Sequence, residues 1–146
     1  MKTITMIILS LFLTNNCSQK EKEEMKKATI EYQANSRGSY TSIQIQSETL
    51  SIVRNRNEKA KSYPLAKEDF KELANLFVKI DLEQLENYKG PAEKRFYDGA
   101  AMANVRIVYE GKLYQSQTFD HDSPPLEIEA FVNKIVSFVK TESNDN

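Results

Sequence analysis

Thr41-Ser42-Ile43-Gln44-Ile45-Gln46 governs the reading of the whole chain. Ile43 and Ile45 fall on one side and the Gln residues on the other, the period of a strand with one buried face and one wet face. Upstream, Ala28-Thr29-Ile30-Glu31-Tyr32-Gln33-Ala34 alternates in the same way, with Ile30, Tyr32 and Ala34 together. Asn35-Ser36-Arg37-Gly38-Ser39 between them is turn material. Downstream, Ser47-Glu48-Thr49 turns the chain into a third strand that begins Leu50-Ser51-Ile52-Val53. Residues 54–61 are polar and lead to a short fourth strand ending near Tyr63. Strands so closely spaced pair antiparallel by default.

Past Pro64-Leu65 the period changes. Phe70, Leu73, Ala74, Phe77 and Ile80 recur at helical spacing, which predicts a helix over 67–79. Leu82 and Leu85 predict a further helical turn, stopped by Lys89-Gly90-Pro91. Alternation returns with Ala103, Val105, Ile107 and Tyr109. Glu110-Gly111 is a hairpin signal, and residues 113–119 form the returning strand. Ser123 reads as an N-cap with Pro124 at the first helical position. Leu126, Ile128, Phe131, Val132, Ile135, Phe138 and Val139 make the apolar stripe of a last helix. Strands, helix, hairpin, helix is the order of an α+β domain. The expectation is an antiparallel sheet of about five to six strands with two main helices packed on one face. The domain is expected over 28–140, followed by a polar tail over 141–146.

Composition narrows the function. The 146 residues carry 20 Lys+Arg against 21 Asp+Glu, so no basic footprint for nucleic acid exists. Four Gly and four Pro exclude a collagen-like chain, and a single Cys excludes a disulfide scaffold.

The N-terminus has the order of a secretory signal: Lys2, an uncharged apolar run over 4–13, then polar residues up to Cys17. The run is half the length that a membrane-spanning helix needs. Leu13-Thr14-Asn15-Asn16-Cys17 resembles a relaxed lipobox of bacterial lipoproteins. The resemblance implies a signal peptide over 1–16, lipidation of Cys17 and attachment to the outer membrane. Acyl chains at ~0.8 kcal/mol per buried CH₂ make such an anchor effectively permanent. Residues 17–27 lack apolar periodicity and read as a charged, solvated tether. Gln19, Lys20, Glu21, Glu23 and Glu24 also resemble the export tag of surface lipoproteins, which leaves either the periplasmic face or the cell surface as the destination. The mature chain resembles small bacterial lipoprotein domains of unknown function. That likeness rests on Leu82-Glu83-Gln84-Leu85 leading into Tyr88-Lys89-Gly90-Pro91, on Tyr109-Glu110-Gly111-Lys112 and on Ser123-Pro124-Pro125. It implies a fold but no catalytic residues.

No catalytic set is legible. His121 is the sole histidine, and Asp120-His121-Asp122 lacks the further ligands of a zinc site, so it reads as a solvated loop. No Gly-x-Ser-x-Gly elbow and no Gly-rich phosphate loop occur. The carboxylates Glu68-Asp69 and Glu127/Glu129 fall on wet helix faces. No metal, no cofactor and no enzymatic activity are therefore expected. The stretch over 88–97 is richer in Tyr, Phe, Arg and Lys than solubility requires. Two readings stand for it. Phe96 and Tyr97 tuck under the loop as a satellite of the core, or Tyr88, Arg95 and Tyr97 bind a partner while Phe96 anchors the loop. The function expected is a lipid-anchored accessory module with an envelope or extracellular protein partner. The alternatives are an inhibitor of an extracellular hydrolase or a small envelope hydrolase.

Overall fold

The alternating residues of β1 (Ala28–Asn35) and β2 (Tyr40–Gln46) pair antiparallel in the computed structural model, which describes residues 18–143. Ile30 lies opposite Ile45 and Tyr32 opposite Ile43. On its other side β1 meets β5 (Met102–Tyr109), with Ile30 opposite Ile107, Tyr32 opposite Val105 and Ala34 opposite Ala103. Registers that match residue for residue put Ile30, Tyr32, Ala34, Ile43, Ile45, Ala103, Val105 and Ile107 on one buried face. With β3 (Thr49–Val53), β4 (Lys61–Pro64), β6 (Lys112–Gln115) and β7 (Phe119–Asp120), the order is β4-β3-β2-β1-β5-β6, and β7 also pairs with β5. The other face is polar. It carries the Glu31–Arg106 pair at 3.4 Å and the Ser51 and Ser62 hydroxyls 2.9 Å apart. Pro64 and Lys61 sit on the β4 edge, where they discourage pairing with another chain.

The helices cover the apolar face. Besides α1 (18–26), described below, these are α2 (Lys67–Phe77) and α3 (Glu129–Ser143). Phe70, Leu73, Ala74 and Phe77 of α2 and Phe131, Val132, Ile135 and Phe138 of α3 join the sheet's inner face in one core. Lys134 of α3 reaches Asp69 at 2.8 Å and Glu72 at 2.6 Å, tying the two helices together. Glu110 and Gly111 both have positive φ, the tight hairpin turn expected between β5 and β6. The expected α+β architecture with an antiparallel sheet is therefore what the chain forms.

Four details depart from the sequence reading. Residues 18–26 are not a solvated tether but the helix α1. Its one deeply buried apolar side chain, Met25, is 1% exposed within the core. Tyr109 donates a hydrogen bond to Glu24, and Gln19 donates to Glu23 at 2.9 Å. The helix is built on side-chain pairs along its surface and one apolar plug, which leaves no apolar stripe to read. The returning strand is broken: Val105 N–H donates to the Ser116 hydroxyl at 3.0 Å, and the chain pairs again only as β7. Ser123 is not a helix cap. Its N–H donates to Asp120 O at 2.8 Å, and the helical turn Leu126–Ile128 starts only after Pro125. A residue before proline is steered away from helical backbone, which explains the delay. Finally, the expected tail begins as the last turn of α3.

Candidate functional site

The pairing of Asn35 with both Tyr40 and Met102 brings two loops to the same end of the sheet. One is the β1–β2 turn. The other, residues 88–101, connects the 3-10 turn Leu82–Asn87 to β5 and contains a second 3-10 turn, Lys94–Tyr97. Tyr88 packs half-buried against the core at its start. Gly90 follows, so close to β7 that a Cβ there would lie 2.9 Å from the Phe119 Cβ. The glycine is what lets the loop lie down on the strand.

Asp120 holds the loop's middle. Its carboxylate is fully buried and accepts from Lys94 N–H at 2.7 Å, Arg95 N–H at 3.1 Å and Arg95 Nη1 at 3.0 Å. Burial alone pushes this carboxyl up. The bonds from the Arg95 guanidinium and from the two backbone N–H groups outweigh that and hold it below its usual range. Arg95 Nη1 also donates to Ala92 O at 2.8 Å. The turn closes as Asp98 adopts a left-handed φ of 59° and Gly99 N–H donates to Lys94 O at 2.8 Å. Lys94 Nζ reaches Asp122 at 3.1 Å, and His121 N–H donates to Ala101 O at 3.0 Å.

This bracing displays two aromatic rings. Phe96 is 72% exposed and Tyr97 74% exposed. The Arg95 guanidinium carbon lies 4.4 Å from the Phe96 ring centre, a contact that steadies the ring without covering it.

Two sequence expectations are corrected here. Phe96 and Tyr97 do not tuck into the core. Nor does Phe96 anchor the loop while Arg95 reaches outward: the Arg95 side chain is 13% exposed and spent on Asp120. The roles of these neighbours are exchanged, because a buried carboxylate demands a partner and the guanidinium supplies it. Tyr88 is likewise a packing residue, whereas Tyr97 is exposed, as only the partner-binding reading required. Asp120-His121-Asp122, expected as a solvated loop, is exposed only at His121 and Asp122, because Asp120 is buried on its donors, and the three do not converge. Asp120 faces the loop, Asp122 faces Lys94, and His121 Nδ1 lies 2.6 Å from the Tyr32 hydroxyl. That phenol is buried, and burial raises its pKa. Among the described residues, no group of three or more His, Cys, Asp or Glu is placed to hold a metal ion.

Cys17 lies outside the described residues. Gln19, Lys20, Glu21, Glu23 and Glu24 all lie on α1. Sequence reasoning missed Asp120 as the loop's clamp, and with it Arg37 and Arg56, which line a hollow beside the loop. The one available signal was an acidic residue at the end of an apolar strand. No helix among the described residues is long and apolar enough to cross a membrane. A scan of protein-family models, a search of curated proteins and a search of solved structures return no match to this chain.

Proposed function

We propose that the chain is a lipid-anchored envelope module that binds an envelope or extracellular protein through Phe96 and Tyr97. The observation that carries this reading is the exposed aromatic pair on a loop clamped by a buried carboxylate. Rings this exposed bury little area in the fold, and aromatic residues dominate the energetics of protein interfaces. A loop already held in place loses little freedom on binding.

The arrangement along β1 supports the same reading. The lipid anchor proposed at Cys17 adjoins α1, which ends beside Ala28 and the β5–β6 turn. The loop lies at the Asn35 end of β1. Eight residues of strand separate those ends by about 25 Å at the usual rise per residue. The aromatic pair thus lies at the end of the sheet remote from the junction of α1 with β1.

The test is capture of partners from envelope extract by the full chain, followed by affinity measurement with variants. Phe96→Ala and Tyr97→Ala should leave melting nearly unchanged and weaken binding by about 1–2 kcal/mol or more each. A captured partner indifferent to both changes, or no partner at all, removes the reading.

A further inference from the structure

The β1–β2 turn faces residues 98–101 across an open hollow of about 770 Å³. Its lining includes three arginines, Arg37, Arg56 and Arg95, and one carboxylate, Asp98. Arg95 is neutralised by Asp120. Arg37 lies 3.6 Å from Asp98, with side chains 90% and 71% exposed. An ion pair so exposed is weak and readily exchanged. Arg56 has no ion pair among the described residues. It is nevertheless oriented, since its Nη2 donates to the Asn35 side-chain oxygen and, at 3.0 Å, to Ser36 O. Both bonds use Nη2, which belongs to each bidentate edge of the guanidinium, so Nη1 and Nε remain as separate single donors to a ligand. The Ser36 and Ser39 hydroxyls bond each other at 2.8 Å, which leaves one O–H beside the guanidinium for a ligand.

We propose that this hollow binds an oxyanion, the phosphate of a phosphate ester or the carboxylate of an acidic sugar. Both present two charged accepting oxygens, which can take single bonds from Arg56 and a bidentate pair from Arg37 once it leaves Asp98. Arg56 is the fixed half of the site. Arg37 is the mobile half: it exchanges Asp98 for the ligand, and Asp98 competes with the ligand while the site is empty. The proposal uses neither Phe96 nor Tyr97, so it stands or falls separately from the protein-binding reading.

The experiment is calorimetric titration of the full chain with inorganic phosphate and with glucuronate, at matched ionic strength, with glucose as the neutral control. At least one anion should bind where glucose does not, and the arm that binds identifies the source of the oxyanion. Arg56→Gln should weaken binding tenfold or more, with Arg56→Lys in between. Arg37→Gln should weaken it several-fold, and Asp98→Asn should tighten it several-fold. The Arg56 side chain is exposed, and melting curves of each variant verify folding. Binding of neither anion, binding indifferent to Arg56→Gln, or loss of binding in Asp98→Asn overturns the proposal.

Discussion

Asp120 concentrates more structure in one side chain than any other described residue of the loop end. Three donors converge on a carboxylate that has no contact with water. Asp120→Ala leaves the Arg95 charge and two backbone N–H groups without their acceptor, and should cost about 3 kcal/mol in chemical denaturation. Asp120→Asn keeps the shape and removes the charge, which isolates the electrostatic part. The folded-state carboxyl is held below its ordinary value. Its contribution to stability is therefore present above the unfolded pKa of about 3.9 and is lost as pH falls through the lower, folded value. Melting temperatures of wild type and Asp120→Asn should differ most near pH 6 and converge below about pH 4. A gap that stays constant down to pH 2 would contradict the charge-based account.

At the scale of elements, α1 changes the most relative to what its residues suggest. Its Lys and Glu residues favour helix and pair along the helix surface, but a short isolated helix is marginal in water. Docking through Met25 and the Tyr109–Glu24 bond is what holds it. Met25→Ala should cost about 2–5 kcal/mol, the range for emptying a buried Met site. Hydrogen exchange should show residues 18–26 losing protection first. Equal melting of Met25→Ala and wild type would mean that the helix is held elsewhere. The same docking bears on the segment that resembles an export tag: a receptor reading Gln19 to Glu24 would meet a helix surface rather than an extended strand.

For the whole molecule, the junction of α1 with β1 and the exposed loop lie at opposite ends of β1, and the anchor proposed at Cys17 and the loop can each be tested alone. Cys17→Ala should abolish incorporation of a clickable fatty acid and leave the melting of the folded domain unchanged, since its described core begins at Met25. Undiminished label in the variant would exclude Cys17 as the acylated residue.

The sheet was legible in the residues because alternation is a local property. Ile43 and Ile45 face the core whatever strand lies beside them, and the stripe on α3 needs only the helical repeat. Two-residue turns such as Glu110-Gly111 are equally local. What escaped such reading depends on partners far along the chain. Met25 is one apolar side chain among charges, and it becomes core only because the sheet offers it a place. Arg95 and Phe96 are neighbours whose burial follows from a carboxylate twenty-five residues away, at Asp120. Arg37 and Arg56 share a hollow because β1, β2 and β3 carry their turns to one end of the sheet. Periodicity records which face a residue shows to the core. Which charge meets which, and which ring stays in water, is settled by long-range pairing, and a side chain's own neighbours in sequence hold no trace of it.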